Sequence, residues 1–208
     1  MTDILELGKR AQAAAPAIAA AAPAVKNAAL AAIADALIAR TGEIVKKNQE
    51  DIEQAVTNGM SQSMIDRLLL NPQRIVAIAA SVRTLIDMDD IVGSVEHGTI
   101  RPNGLQILKT RVPLGVIGII FESRPNVTVD AATLCLKAGN AVILRGGKEA
   151  LQSNTAIADA LRAGLEAAGM NPDAVQLIPD TSRETANEMM RLHGVIDVLI
   201  PRGGAGLI

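Results

Sequence analysis

The apolar positions of this chain follow a helical period in its first part and a strand-like pattern after residue 91. Between residues 3 and 88, large apolar side chains recur at roughly helical spacing among alanines. Asn71-Pro72 opens the last predicted helix of this region, which runs to about Met88. The recurring apolar residues are Leu5, Leu7, Ile18, Val25, Leu30, Ile33, Leu37, Ile44 and Val45.

Breaks between these helices are predicted from residues with strong local preferences. Pro16 and Pro23 each break or start a helix, because proline lacks the backbone N–H and fixes φ. Asn58-Gly59 is predicted to stop a helix. Ser63 is the predicted N-cap of a short helix over residues 64–70. The regular spacing therefore favours packed helices over a disordered, alanine-rich segment.

Residues 92–100 and 105–112 are predicted to form two short strands of a hairpin. Pro102-Asn103-Gly104 joins them, and Asn-Gly is a strong signal for a hairpin turn. Arg101 and Lys109 are predicted to lie on the solvated face of this hairpin.

From Pro113 onward, buried-strand patterns alternate with amphipathic helices. Leu114 to Phe121 is a continuous apolar run, which is typical of a strand buried on both faces of a parallel sheet. Thr181 or Ser182 is predicted to cap a helix that ends at Leu192. The alternation predicts an α/β fold in which N-terminal helices and a β-hairpin precede a doubly wound, mostly parallel, Rossmann-like sheet. The predicted strands cover 114–121, 141–144, 174–178 and 196–200, and the other helices cover 127–138 and 149–168.

The chain is predicted to divide into a helical segment over residues 1–90, a hairpin over 91–112 and a dinucleotide-binding unit over 113–208. The sequence ends at Leu207-Ile208, just after a glycine-rich stretch, where a doubly wound sheet would place a helix. We therefore expect the sequence to be a fragment whose sheet is incomplete at its C-terminus and which lacks a catalytic domain.

The composition excludes some classes of function. Hydrophobic residues make up 49% of the 208 positions and charged residues 20%, which is enough for a substantial core. The net charge is −2, there is no polybasic run, and Phe121 is the only aromatic residue. Nucleic-acid binding requires a basic surface or stacking aromatic side chains, so we expect no nucleic-acid partner.

The single cysteine and the start of the chain bear on its compartment. Cys135 has no second cysteine to pair with, which favours a reducing compartment. Asp3 and Glu6 occupy a stretch where a signal peptide would be basic, and prolines and Lys26 interrupt the alanine-rich segment that follows. The sequence thus predicts a cytoplasmic protein with no membrane partner.

Three loops at the ends of predicted parallel strands contain arginine, lysine and glycine. They are Glu122–Asn126, Arg145–Lys148 and Pro201–Gly204, the last continuing into Ala205-Gly206. Glycine allows a phosphate to approach the backbone, helix N-termini offer N–H groups, and basic side chains supply the countercharge. The alternative is that each loop is an ordinary turn with solvated basic residues. The occurrence of three such loops favours a dinucleotide or another phosphorylated ligand.

The usual glycine fingerprint of dinucleotide-binding proteins does not follow the first strand of this unit. Gly115 and Gly118 lie inside the apolar run, where they are predicted to allow close packing. Cys135 lies between two leucines in a predicted helix, so we expect a buried thiol rather than a nucleophile. His97 and His193 are the only histidines and are far apart in sequence, which argues against a metal site.

Long segments of the chain resemble one family. RVPLGVIGIIFESRPNVTVDAATLCLKAGNAVILRGGKEALQSN, beginning at Arg111, and DVLIPRGGAGLI, beginning at Asp197, resemble the γ-glutamyl phosphate reductase family of the aldehyde dehydrogenase superfamily. The resemblance implies NADPH-dependent reduction of L-glutamyl 5-phosphate to L-glutamate 5-semialdehyde in proline biosynthesis, with release of phosphate. It also implies NADP(H) as cofactor, a small-molecule substrate and a homo-oligomer when the protein is full length.

The resemblance also implies roles for individual residues. Arg145 and Lys148 match positions that contact the adenosine ribose. Many NAD-using relatives have glutamate where Lys148 stands, and a lysine there favours the 2′-phosphate of NADP. Asn126 matches the region of an oxyanion-stabilising asparagine. The other matching cofactor-binding residues are Ser123, Arg124, Pro125, Gly146, Gly147, Gly203 and Gly204.

The family's nucleophilic cysteine has no counterpart in this chain, since it belongs to the C-terminal catalytic domain and Cys135 does not match it. The alternative to the reductase is therefore a catalytically inactive NADP(H)-binding fragment, and a weaker one is a scaffold protein built on the alanine-rich helices. The first helices and the hairpin are predicted to pack around the cofactor unit or to form oligomer contacts.

Overall fold

The structure, a computed structural model, describes residues 3–204 and begins with five helices. Pro23 is the first residue of the second helix, Asn71 caps the fifth by accepting the N–H of Arg74 at 2.8 Å, and Gly59 has a φ of +72° after the third. These boundaries confirm the sequence predictions. The helices are α1 (Ile4–Ala20), α2 (Pro23–Ala39), α3 (Thr41–Thr57), α4 (Gln62–Leu68) and α5 (Pro72–Asp87).

Two predicted boundaries in this region are wrong. Pro16 lies inside α1, which continues to Ala20 because Ile18, beyond the proline, is fully buried in the core. An interior proline costs a helix about 3 kcal/mol, and this burial offsets much of that cost. The cap of α4 is Ser61 rather than Ser63, which forms part of the first turn.

The predicted hairpin is present and forms a separate two-stranded sheet. Strand β1 (Val95–Ile100) pairs antiparallel with β2 (Gln106–Thr110), and Gly104 in the turn has a φ of +84°. Almost every residue of both strands is exposed, including Ile100 and Leu108. The hairpin therefore presents apolar side chains to solvent within the described part of the chain.

The second half of the chain forms a parallel four-stranded sheet, in which β3 (Val116–Phe121) lies between β4 (Ala141–Arg145) and β6 (Val198–Arg202), and β5 (Val175–Leu177) lies beyond β4. Every residue of β3 is buried, and a β-carbon at Gly118 would lie 2.8 Å from Leu199 and from Met189, so this glycine allows close packing as predicted. This sheet and its helices confirm the predicted α/β fold class. The helices of this half are α6 (Asn126–Lys137), α7 (Leu151–Ala167) and α8 (Arg183–Met190).

The structure differs from the prediction at β6. The sequence predicts a loop at Pro201 and Arg202, but both belong to the strand and pair with Ile120 and Phe121 of β3. Proline is tolerated in a strand with an unpaired edge, and β6 has only β3 as a neighbour among residues 3–204. Ser182 caps α8 by accepting the N–H of Thr185, but this helix ends at Met190, two residues earlier than predicted.

The first helices and the sheet share one hydrophobic core. Helix α2 packs directly on α7, and a β-carbon at Gly164 would lie 2.5 Å from the Cα of Ile33. Ile33, Leu37, Leu161 and Leu165 are fully buried at this contact. Each such side chain contributes roughly 1.5–3 kcal/mol by leaving water. The division of the chain at residues 90 and 112 stays a prediction.

Charged side chains are buried where α2 and α6 meet the segment that leads into the hairpin. Lys26 pairs with Asp90, and the two side chains are only 2% and 8% exposed. Lys137 is also buried and donates from Nζ to Asn27 Oδ1 at 2.7 Å. None of the helices in residues 3–204 combines the length and the apolar character that crossing a membrane requires.

Candidate functional site

The carboxyl ends of β3, β4 and β6 bring the three predicted loops to one edge of the sheet. Phe121 at the end of β3 pairs with Arg202 of β6, and the preceding Ile120 pairs with Arg145 of β4. Because the strands are parallel and in register, the segments that follow them lie side by side. Ala205 and Gly206 of the third predicted loop lie outside the described residues.

Side-chain hydrogen bonds connect these loops to one another. Glu122 Oε1 accepts the backbone N–H of Gly204 at 3.0 Å. Ser123 Oγ donates to Glu149 Oε2 at 3.1 Å. A β-carbon at Gly147 would lie 2.7 Å from Glu149 Oε2 and 3.4 Å from the backbone nitrogen of Ser123, so glycine allows these two loops to approach closely. The edge is therefore an organised surface in which the loops are fixed relative to each other.

Two neighbouring clefts open at this edge and share Arg67, Phe121, Glu122 and Arg124. The β3–β6 cleft has a volume of 370 Å³ and also reaches Arg202, Gly203 and Gly204. The β3–β4 cleft has a volume of 330 Å³, and its lining adds Met64, Ser123, Arg145, Gly147 and Glu149.

Sequence reasoning did not identify Arg67 as a site residue. It belongs to α4, whose C-terminal end is held by the buried side chain of Asn48. This side chain donates to Leu68 O at 2.8 Å and accepts the N–H of Leu70. It also donates to Ser153 Oγ at 3.0 Å, which connects α4 to α7 beside the sheet. No local pattern in the sequence marks this placement, because it depends on contacts between distant segments. Met64 reaches the β3–β4 cleft from the same helix.

Arg145 is largely engaged with the protein itself. Its guanidinium donates to the carbonyl oxygens of Thr181 and Ser182 at 2.6 and 2.9 Å, which ties β4 to the start of α8. Burial lowers the pKa of this guanidinium, while Asp180 and Glu149 act in the opposite direction. Arg145 thus holds the loops in place and also lines the β3–β4 cleft.

Lys148 lies on a different side of its loop. It is exposed, begins the 3-10 turn Lys148–Ala150, and lines a 480 Å³ cavity with Asp51, Met60 and Glu149. The side chains of Arg145 and Lys148, which were predicted to act together, therefore line separate cavities.

The expectation that helix N-termini offer open N–H groups is wrong for α7. The carboxylate of Asp51, from α3, accepts the N–H groups of Gln152 and Ser153 at 3.2 and 2.8 Å, and also the hydroxyl of Ser153. Burial raises the pKa of this carboxyl, and the hydrogen bonds from Ser153 and Gln152 oppose that rise. Helix α6 has no side-chain cap and begins directly in the loop after β3.

Asn126, the predicted oxyanion donor, is the first residue of α6. Its amide donates to Asp130 Oδ2 at 3.2 Å, one turn along the same helix. Burial raises the pKa of the Asp130 carboxyl, while Asn126 and the charge of Arg202 lower it. Asp130 and Arg202 line a fourth, mostly apolar cavity of 420 Å³ between α5 and α6.

The structure also locates Cys135, which is buried in α6. Burial raises the pKa of its thiol to about 12, so the thiolate is scarce at neutral pH. Over residues 3–204, no three histidine, cysteine, aspartate or glutamate residues are grouped as a metal site requires.

The chain is similar in sequence to a known family and to several of its members. The profile of the aldehyde dehydrogenase family matches residues 2–201. The γ-glutamyl phosphate reductase of Thermobifida fusca is 52% identical over 206 residues, which is 99% of this chain and 49% of that protein. The same-named protein of Clostridium beijerinckii is 58% identical over 172 residues, or 83% of this chain and 42% of its own length.

Solved structures of related proteins have the same fold as this chain. The crystal structure of γ-glutamyl phosphate reductase from Thermotoga maritima superposes with a TM-score of 0.97 at 42% identity, covering 99% of this chain and 50% of that one. A propionaldehyde dehydrogenase from Clostridium phytofermentans shares the fold, with a TM-score of 0.75 at 15% identity over 100% of this chain and 44% of its own. The chain spans about half the length of the curated relatives it matches.

Proposed function

The chain belongs to the aldehyde dehydrogenase family, and from this membership we propose that it forms part of an NADPH-dependent acyl-phosphate reductase. The proposed reaction converts L-glutamyl 5-phosphate to L-glutamate 5-semialdehyde and releases phosphate, a step of proline biosynthesis. The observation that supports it most is the 52% identity to a γ-glutamyl phosphate reductase over 99% of the chain. Members of this family use NAD or NADP, and the choice of NADP is part of the proposal.

The carboxyl edge of the sheet has the chemistry that a dinucleotide requires. Its loops carry glycines at the points of close approach, and arginines outnumber carboxylates in both clefts. When bound, the nicotinamide group supplies the hydride. The residues of this chain bind and orient it, and Arg145 keeps the β4 loop in position through Thr181 and Ser182. The proposed binding surface comprises Ser123, Arg124, Pro125, Gly146, Gly147, Gly203 and Gly204.

Lys148 is the proposed determinant of the preference for NADP. It is exposed, and its ammonium makes no hydrogen bond or ion pair with residues 3–204. A carboxylate at this position would accept hydrogen bonds from a ribose 2′-hydroxyl and repel a 2′-phosphate, whereas a lysine does the opposite. Its charge is thus available to a 2′-phosphate.

Replacing Lys148 tests this proposal. We expect Lys148→Glu to weaken NADPH relative to NADH by roughly 10- to 100-fold, the size of one lost charge-assisted contact. Calorimetric titration of both nucleotides into the chain and its variant measures the ratio of the NADPH and NADH dissociation constants. The matched control is Lys46→Glu, an exposed lysine on α3. An unchanged ratio would remove Lys148 from the site, and failure of both nucleotides to bind would contradict the cofactor role of this chain.

The second candidate function is nucleotide binding without catalysis by these 208 residues. It is favoured by Cys135, the only cysteine, whose thiol is buried and has a pKa near 12. We therefore expect the purified chain to show no phosphate-dependent reduction of NADP with glutamate semialdehyde. Measurable turnover by the chain would exclude this candidate.

We also propose that the full-length protein is a homo-oligomer and that the hairpin contributes to the contact. Ile100, Leu105 and Leu108 are more than half exposed on it, although large apolar side chains favour burial. Sedimentation analysis of the full-length protein tests this. We expect Ile100→Lys combined with Leu108→Lys to dissociate the oligomer, and a monomeric parent protein would contradict the proposal.

The proposed compartment is the cytoplasm. Cys135 is a free, buried thiol with no second cysteine in the sequence to pair with. Reduced thiols of this kind suit a reducing compartment. Imaging of the tagged protein in cells would test the location, and a signal outside the cytoplasm would contradict it.

A further inference from the structure

Three arginines from three different elements converge on the β3–β6 cleft. Arg67 comes from α4, Arg124 from the loop after β3, and Arg202 from the end of β6. None of the three side chains forms a hydrogen bond or an ion pair with residues 3–204. Placing like charges around one cavity costs free energy unless an anion balances them.

Some arginines outside the cleft have carboxylate partners, while others, such as Arg101 and Arg183, have none among the described residues. Arg74 pairs with Asp66 at 2.7 Å, only seven residues from Arg67, and Arg111 pairs with Glu96 at 2.8 Å. What distinguishes the cleft is that three arginines without carboxylate partners among the described residues line one cavity. Burial raises the pKa of the nearby Asp130 carboxyl, and the charge of Arg202 opposes that rise, but the two side chains form no ion pair.

The charge balance of the cleft matches a dianion. Glu122 is the only carboxylate among the residues that line it, and it accepts the N–H of Gly204. Three arginines against one carboxylate leave an excess of two positive charges. A phosphate group attached through one oxygen carries about −1.5 to −2 at pH 7, and the planar guanidinium matches its oxygens. A volume of 370 Å³ is within the usual range for small-ligand sites.

We propose that Arg67, together with Arg124 and Arg202, binds a phosphate group in the β3–β6 cleft. This inference rests on the proposed function and extends it, because it assigns a ligand-binding role to a residue of the N-terminal helices. Two sources can supply the phosphate: the acyl phosphate of the substrate, with the inorganic phosphate it releases, or the diphosphate of the cofactor.

Titration of inorganic phosphate into the 208-residue chain at constant ionic strength tests the subsite. We expect saturable binding that Arg67→Gln and Arg124→Gln each weaken by roughly tenfold or more. The matched control is Arg101→Gln in the hairpin turn, an exposed arginine outside the cleft, which should leave the affinity unchanged. Circular dichroism confirms that each variant is folded, which we expect because Arg67 is exposed. Absence of saturable binding, or equal loss in the control, would overturn the proposal.

A second titration, in the presence of saturating NADP, identifies the source of the phosphate. Unchanged phosphate affinity assigns the subsite to the substrate, and competition assigns it to the diphosphate of the cofactor. The two proposals fail separately in this design. If the parent chain binds phosphate but not NADP, only the cofactor role is contradicted. If it binds NADP but not phosphate, only the subsite is contradicted.

Discussion

At the scale of single residues, the buried pair of Lys26 and Asp90 shows how a charge is held in the core. An unpaired ion there would cost several kcal/mol, and each of the two compensates the other. Burial by itself would raise the pKa of the Asp90 carboxyl. Lys26 and the N–H of Val92 outweigh this effect, and Lys137 adds a smaller one, so the pKa lies below its ordinary value. The lowered pKa keeps the carboxyl ionised in the folded chain at neutral pH, so protonating it would destabilise the fold.

Replacing Asp90 by asparagine leaves the Lys26 ammonium buried without its counter-ion. We expect Asp90→Asn to lower the free energy of unfolding by about 3–5 kcal/mol at pH 7. Because the native pKa is lowered, this contribution is complete above the unfolded value near 4 and is lost as the pH falls through the native pKa. Urea unfolding at several pH values measures it.

A double variant provides the control for this prediction. Lys26→Met combined with Asp90→Asn removes both charges and should lose less stability than Asp90→Asn alone. Two results would contradict the role of the ionised pair. One is an Asp90→Asn variant as stable as the parent chain at pH 7; the other is a difference in free energy of unfolding between the two that does not narrow below pH 4.

At the scale of elements, the first turn of α7 is held by a residue from another helix. Asp51 of α3 caps it, and the 3-10 turn Lys148–Ala150 leads directly into it. The Arg145–Lys148 loop, which is proposed to bind the cofactor, is therefore anchored at one end by Asp51 and at the other by β4. A phosphate has no access to these two N–H groups, which leaves the arginines, Lys148 and the loop backbone as its partners.

We expect Asp51→Ala to lower the free energy of unfolding by about 2–3 kcal/mol, because a helix cap is lost and buried N–H groups lose their acceptor. The same change should weaken NADPH binding, since the Lys148 loop loses its anchor. Chemical unfolding and nucleotide titration measure the two effects. Glu53→Ala, an exposed acidic position on the same helix, is the control and should change neither. Equal effects in both variants would refute the anchoring role.

At the scale of the whole molecule, the sequence predicts what local patterns determine. Asn103-Gly104 and the continuous apolar run of β3 correctly predict the hairpin and the central strand. The family resemblance is confirmed by the match over residues 2–201. Periodicity does not record contacts between distant segments, such as Asp51 with Ser153, which are 102 positions apart. For the same reason, the arrival of Arg67 at the cleft could not be predicted.

The attachment of α1 has a consequence for how the protein is made. Arg10 of α1 pairs with Asp173, 163 positions later, and Gln12 donates to the carbonyl of Gly194. A ribosome adds about 5–20 residues per second, so α1 waits roughly 10–30 seconds after its own synthesis for these partners. During translation its apolar face, centred on Ile4 and Ile18, is open to chaperones. The first helix of residues 3–204 thus forms these two contacts only near the end of their synthesis.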